Sequence, residues 1–373
     1  MRAAVVDALG SGFALQDVDI AEPVGREVLV EVRASGLCHT DLTVATHAFG
    51  DFPPPVVLGH EIAGVVVAVG PDAGTFVTGD HVVGCLVQWC GHCPACLGGR
   101  VYQCGSPGTT LRDPLREEPR LSRAGRPLTQ GMGLGGFAER ALVHENQLTA
   151  VPRRLPFPQA ALLGCGVLTG AGSVLNGARV AAGETVAVIG AGGVGLNALG
   201  AARIAGASRI VAVDVQDGKL RRALDFGATD VVNSATTDAV AAVRELTGGG
   251  VQHAFDIVGA GATTELALRM TALGGGVYVV GLAAGGGDLK LSLPRLLLQQ
   301  KRIQGLIMGS GNPRRDIPRY ADLYLRGRLN LDDLVSREIA LDGIDAGYAA
   351  LQDPDVARVV ITSFQAGPAP GRT

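Results

Sequence analysis

The run Thr185-Val186-Ala187-Val188-Ile189-Gly190-Ala191-Gly192-Gly193-Val194-Gly195 decides how the C-terminal part of this chain folds. Five residues of buried-strand type lead into glycines spaced G-x-G-x-x-G, and an Ala-rich helical stretch leads out of them. A second strand-like run, Arg209 to Val213, ends on Asp214, nineteen residues beyond Gly195. Strand, glycine turn, helix and strand form a βαβ unit, which implies a parallel sheet. In that setting the glycines let the backbone approach a pyrophosphate, and the helix N-terminus faces its negative charge. Asp214 can accept hydrogen bonds from the adenosine ribose hydroxyls and repels a 2′-phosphate, so the expected cofactor is NAD rather than NADP. Gly190, Gly192, Gly193, Val194, Gly195 and Asp214 are the candidate contacts.

Working outward, strand-like runs at Val231-Val232, 254–258, 276–280 and 303–307 leave room for helices between them and extend the unit into a doubly wound sheet. The first 150 residues have a different grain. Short apolar or alternating runs, such as Glu27-Val28-Leu29-Val30-Glu31-Val32, are separated by Gly, Pro and Asp turns, which predicts an antiparallel, β-rich domain. Residues 105–135, rich in Gly, Pro, Arg and Ser, are expected to form a long surface excursion rather than a separate domain, and the tail 366–373 to be frayed.

At 373 residues the chain is long enough for two domains. With 47% apolar residues and no apolar run of 18 or more, it reads as globular, with no membrane partner. The balance of 32 basic against 35 acidic residues, formally −3, offers no basic block for nucleic acid. Asp7 stands where a secretory signal would be apolar, so a cytoplasmic location is expected. Seven cysteines in that compartment point to ligands or nucleophiles rather than disulfides.

Four of them crowd into fifteen residues as Cys90-Gly91-His92-Cys93-Pro94-Ala95-Cys96 followed by Cys104. Four thiolates saturate a tetrahedral zinc and leave no position for substrate, so Cys90, Cys93, Cys96 and Cys104 predict a structural ion. An iron–sulfur protein would place its fourth cysteine three residues on and before a proline, whereas Cys104 comes later and precedes glycine. His92 reads as an exposed loop residue and Cys85 as a small buried apolar one.

Three other residues stand apart in the sequence: Cys38 in Gly36-Leu37-Cys38-His39-Thr40-Asp41, His60 in Gly59-His60-Glu61, and Cys165 in Leu163-Gly164-Cys165-Gly166. Each alone reads as packing. Taken in order with the four-cysteine loop and the glycine fingerprint, the chain resembles the zinc-dependent medium-chain alcohol dehydrogenases from end to end, most closely over residues 36–227. The resemblance implies an α/β plus β architecture. A β-rich GroES-like catalytic domain would cover residues 1–166 and 308–373, and a doubly wound Rossmann nucleotide domain would cover residues 167–307.

It further implies reversible oxidation of primary alcohols, bulky or aromatic ones included, to aldehydes by hydride transfer to NAD, with two zinc ions per chain and a homodimer. Cys38, His60 and Cys165 would hold the catalytic zinc. Glu61 would lie beside the metal, Asp41 would orient His60, and Thr40 would contact the substrate oxygen. His39, Lys219 and Arg358 would touch the cofactor. Where many relatives carry a relay histidine this chain has Thr43, and His47 is the candidate substitute for proton release. Leu86, Phe137, Leu282 and Ile307 are candidate pocket walls. One alternative is a glutathione-dependent formaldehyde dehydrogenase or a relative that retains its nicotinamide tightly, although Phe49 replaces that branch's acidic residue. The other is a non-catalytic zinc- or redox-responsive binding protein.

Overall fold

The computed structural model describes residues 1–113, 117–282 and 287–364. The tail for which fraying is expected lies outside them. The chain divides into two units, one comprising Met1–Cys165, Asn312–Asp322 and the residues from Leu331 onward, the other Gly166–Gly311 and Leu323–Asn330. The first break falls one residue before the expected boundary and the return falls four residues after it. The short excursion Leu323–Asn330 was not expected in the nucleotide unit. Its reason is local: Leu329 is buried, and its side chain lies against Gly200 of the nucleotide unit.

In the first unit the strand Glu27–Gly36 is central. It pairs antiparallel with Glu61–Val69, with Arg140–His144 and with the late strand Arg358–Ser363. Its inward valines, Val28, Val30 and Val32, join Ile62, Val66, Leu134, Phe137 and Ile361 in one core. Alternation along a pleated strand puts that set on one face. The described residues of 105–135 are more ordered than their composition suggests. Leu121–Arg123 pairs with Asp19–Ile20 and with Arg126–Pro127, while Thr129–Gln130 runs beside Val56–Val57. A charge cluster pins this excursion, because buried Glu27 accepts from Arg112 Nε at 2.9 Å and from Arg120 Nε at 2.7 Å. Burial opposes ionisation of Glu27, but the two guanidiniums outweigh it and hold the carboxyl below its ordinary range.

The second unit carries one parallel six-stranded sheet. Its order across the sheet is Asp230–Asn233, Arg209–Asp214, Thr185–Ile189, Val251–Asp256, Thr271–Val279 and Arg302–Gly305. Numbered along the chain this is 3-2-1-4-5-6, the doubly wound order, whose switch point falls beside Thr185–Ile189. That strand is buried on both faces after its first residue, as parallel strands covered by helices are. The helix Phe157–Ala178, 22 residues with a mean hydropathy of 1.4, is long and apolar enough to cross a membrane, but 78% of its apolar window is buried inside the protein. It contains two π-helical turns, Leu163–Val167 and Ser173–Ala178.

Candidate active site

Strand register builds the site. Gly36 lies opposite Glu61, so Cys38, two residues beyond the end of its strand, meets His60, which immediately precedes the next. On the other side Val360 lies opposite Gly36, and the same antiparallel register brings Arg358 level with Cys38. Cys165 arrives on the π-helical turn Leu163–Val167. One extra residue in a helical turn redirects the side chains around it, which is why such turns recur at functional positions.

The ligand atoms of Cys38, His60, Glu61 and Cys165 all lie within 4.8 Å of one another, and all four residues are buried. His60 Nε2 is 3.3 Å from Cys165 Sγ, and its other nitrogen, Nδ1, is 2.9 Å from Asp41 Oδ2, an ion-pair distance at an angle unlike that of a good hydrogen bond. Asp41 Oδ1 accepts from the Gly59 backbone N–H at 3.0 Å. The carboxylate thus holds the imidazole and the turn that precedes it. Behind the cluster, the Tyr348 hydroxyl donates to the Cys38 carbonyl at 3.2 Å, and its ring stacks on Phe13 at 5.4 Å.

Glu61 lies 3.3 Å from the Arg358 guanidinium, which also donates to the Leu37 carbonyl at 3.2 Å. Gly36 makes room for that carboxylate, since a Cβ there would overlap Glu61 Oε2. Burial pushes Glu61 up to about 7 despite Arg358. Burial also raises Asp41 against the pull of His60. In His60 the penalty of burial is overcome by Asp41 and Cys38, leaving the imidazole well above its usual value.

Two thiols, two carboxyls and an imidazole therefore face one fixed cation, Arg358. Two thiolates and an imidazole, with the Glu61 carboxylate beside them, form the donor set of a catalytic zinc, and a dication balances the buried negative charge. The residues fit that metal. Asp41 supplies the outer partner that a ligating histidine ordinarily has.

Thr40 sits half-buried in the first turn of the helix His39–Thr46, with His39 exposed beside it. Thr43 turns its hydroxyl back to the His39 carbonyl at 3.0 Å. His47 caps the far end of this helix, exposed, with Nδ1 2.7 Å from Thr46 Oγ1. Of the four residues named as pocket walls, Phe137 is fully buried and meets Phe13 edge to face at 5.7 Å, which makes it a core residue instead. Leu86 packs half-buried on the same core, and Leu282 and Ile307 are exposed.

The second cluster is compact. Cys90, Cys93, Cys96 and Cys104 also bring their sulfurs within 4.8 Å of one another, near the separation of about 3.8 Å that Zn–S bonds of about 2.3 Å set in a tetrahedron. The Cys90, Cys93 and Ser106 backbone N–H groups donate to these sulfurs at 3.2–3.4 Å. N–H groups from Cys96 and Gly105 pull the Cys93 thiol down to about 6. His92 points elsewhere, with Nδ1 3.1 Å from the Cys90 carbonyl, and Cys85 is fully buried, its thiol pushed up to about 12.

In the nucleotide unit the glycine turn is shaped for a phosphate. Gly190 has φ +96°, a Cβ on Gly195 would overlap the Gly190 carbonyl oxygen, and a Cβ on Gly192 would meet nothing within 4 Å. Asp214, at the end of its strand, accepts from Ala191 N–H at 2.8 Å and from Val215 N–H at 2.8 Å. Lys219 is half-buried on the helix Asp217–Asp225 that follows. Sequence reasoning missed Tyr348 and the structural use of Gly36, because a lone tyrosine and a strand-end glycine carry no spacing signal.

Comparison with known proteins supplies the family. A model of the alcohol dehydrogenase GroES-like domain matches residues 25–153, and one of the zinc-binding dehydrogenase domain matches residues 193–326. Alcohol dehydrogenase class-3 of Myxine glutinosa is 34% identical over 96% of this chain and 97% of its own length. The NDMA-dependent alcohol dehydrogenase of Amycolatopsis methanolica is 36% identical over 96% and 98%. The crystal structure of benzyl alcohol dehydrogenase from Acinetobacter calcoaceticus superposes with a TM-score of 0.91 at 35% identity, covering 97% of this chain and 99% of that one. Likeness sustained along nearly the whole length, on both units and over both cysteine-bearing segments, places this chain in the zinc-dependent medium-chain alcohol dehydrogenase family, as an NAD-dependent enzyme that oxidises alcohols.

Proposed function

We propose that the enzyme oxidises primary alcohols, with bulky and aromatic ones among its best substrates, and that each chain carries one catalytic and one structural zinc. The observation that carries this reading is the buried set Cys38, His60 and Cys165, whose ligand atoms gather with Glu61 within 4.8 Å. When bound, the zinc acidifies a hydroxyl group as a Lewis acid and NAD accepts the hydride. Asp41 fixes the imidazole tautomer by facing Nδ1, which leaves Nε2 for the metal side. Thr40, two residues after Cys38, takes the substrate proton into the helix His39–Thr46. From there His47, the residue that caps the helix about 10 Å beyond Thr40 at 1.5 Å per residue, hands it to solvent. Water completes that path. His47→Gln should alter the pH dependence of kcat, and an unchanged profile removes His47 from the route.

His39, Lys219 and Arg358 are proposed cofactor contacts. Arg358 Nε has no hydrogen-bond partner among the described residues and is a donor left over for a phosphate. A homodimer is supported by the edge strand Arg302–Gly305, flanked by exposed Leu293, Leu297, Leu298 and Ile307, because an open apolar edge needs cover. A cytoplasmic location is supported by Cys38, Cys90, Cys93, Cys96, Cys104 and Cys165 standing in metal-ligand sets, a use of cysteine that a reducing compartment favours.

The test joins zinc content per chain with NADH formation across aliphatic, allylic and aromatic alcohols and S-hydroxymethylglutathione. Two zincs and turnover of benzyl-type alcohols support the reading. Preference for the glutathione adduct moves the enzyme to the formaldehyde branch, and no turnover of any alcohol by the zinc- and NAD-loaded protein defeats it.

A further inference from the structure

A cleft of about 380 Å³ in the nucleotide unit is lined by five cations, Arg244, Arg269, Lys290, Arg295 and Lys301, against a single carboxylate, Glu265. Such a concentration is unexpected in a chain whose formal charge is −3. Among the described residues, none of the five forms an ion pair within 4.0 Å.

Part of this charge has a structural use. Arg244, Arg269 and Arg295 lie in the last turns of their helices, where the backbone carbonyls present about −0.5 charge each. Lys301 Nζ donates to the Thr271 carbonyl at 3.0 Å, just past the end of the helix Gly261–Met270. Three half-charges and one carboxylate leave more than two positive charges uncompensated. That surplus is felt at Lys301, whose ammonium is pushed below its ordinary range by burial and then by Arg244 and Arg295.

This cleft is not the dinucleotide groove. Lys301 immediately precedes the strand Arg302–Gly305, and Met270 immediately precedes Thr271–Val279, so the cleft opens at the N-terminal edge of the parallel sheet. The glycine turn follows Thr185–Ile189 at the opposite, C-terminal edge, about 16 Å away along a five-residue strand at 3.3 Å per residue. Nor is it the exposed leucine face, since Arg295 and Leu296 face the cleft while Leu293 and Leu297 are exposed on the same short helix.

We infer that this cleft binds a small polyphosphate anion, supplied by an inorganic oligophosphate or by the phosphate tail of a nucleotide. Its volume suits a compact ligand, the fork-shaped arginine donors match phosphate oxygens, and Leu268 and Leu296 provide an apolar wall.

Calorimetry on the zinc-loaded enzyme saturated with NADH tests it, with inorganic tripolyphosphate and ATP as probes. One saturable site per chain is expected, weakening as NaCl is raised. Equal affinities assign recognition to the phosphates alone, and tighter binding of ATP adds the nucleoside; both support the site. Arg244→Gln with Arg295→Gln should weaken binding at least about tenfold while leaving NADH affinity unchanged. Glu265→Gln, an exposed change that removes the opposing carboxylate, should tighten it. No saturable binding, displacement by excess NADH, or wild-type affinity in both variants overturns the inference.

Discussion

Asp41→Asn separates the charge of the residue behind His60 from its shape. In the native site one carboxylate serves two partners: Oδ2 faces His60 Nδ1 at 2.9 Å and Oδ1 accepts from Gly59 N–H at 3.0 Å. Asparagine offers one acceptor and one donor. If its oxygen faces His60, its amide group confronts the Gly59 N–H. If its oxygen stays on Gly59, the amide confronts His60 Nδ1 and forces the proton to Nε2, the nitrogen proposed to bind the metal. One partnership fails in each orientation, at a side chain only 1% exposed, where water does not make good the loss. Loss of such an outer partner typically costs 10- to 100-fold in metal affinity, which is about 1.4–2.7 kcal/mol. The assay is competition with a chromophoric chelator, which reads the affinity and stoichiometry of each ion. The ion proposed for the four cysteines serves as the internal reference, because Asp41 touches none of those cysteines. Catalytic zinc should be released first in the variant, with the second ion unaffected. Equal affinity in variant and wild type would refute the role assigned to Asp41.

Three further outcomes follow from the geometry. Gly195→Val places a side chain against the Gly190 carbonyl, and the displacement should cost about 1–3 kcal/mol, roughly 5- to 150-fold in NADH affinity by fluorescence titration. Asp214→Ala removes both the acceptor for Ala191 N–H and the repulsion of a 2′-phosphate, so the ratio of NADH to NADPH affinity should fall at least about tenfold. Glu27→Ala leaves Arg112 and Arg120 without their buried partner, at a cost of about 3–5 kcal/mol, seen as a lowered thermal midpoint and faster proteolysis within residues 105–135. Because the folded Glu27 pKa is depressed, its stabilisation is present at neutral pH and is lost as pH falls through that lowered value. The midpoints of wild type and Glu27→Ala should therefore converge in acid, and a constant difference down to acid unfolding contradicts the assignment.

The parts of this molecule legible in sequence are those in which chemistry acts over short spans. Gly190 is required by its positive φ and Gly195 by the approach of the Gly190 carbonyl, both within one turn, and four cysteines within fifteen residues need only one loop to meet. The described residues of 105–135 were less legible because Arg112 and Arg120 are held by a partner 85 or 93 positions away, Glu27, rather than by local periodicity. Phe137 misled for a related reason. An apolar residue near the ligand-bearing turn reads equally well as wall or core, and only packing against Gly59 and Phe13 decides. Tyr348 lies 310 positions from the carbonyl it holds, a pairing that no spacing rule anticipates.

The catalytic cluster shows how such distances are bridged without strain. Cys38, Glu61 and Arg358 are tied by two backbone registers, Gly36 to Glu61 and Gly36 to Val360. A one-residue slip in the first of these would turn Glu61 to the opposite face and take the acid away from Arg358, since side chains alternate along a strand. Gly36 stands where the two registers meet, opposite both Glu61 and Val360, and the position tolerates no Cβ beside the Glu61 carboxylate. The buried charge balance of the site therefore depends on an uncharged residue that has no side chain to offer a metal. Its requirement for glycine is one of space, set by two neighbouring strands.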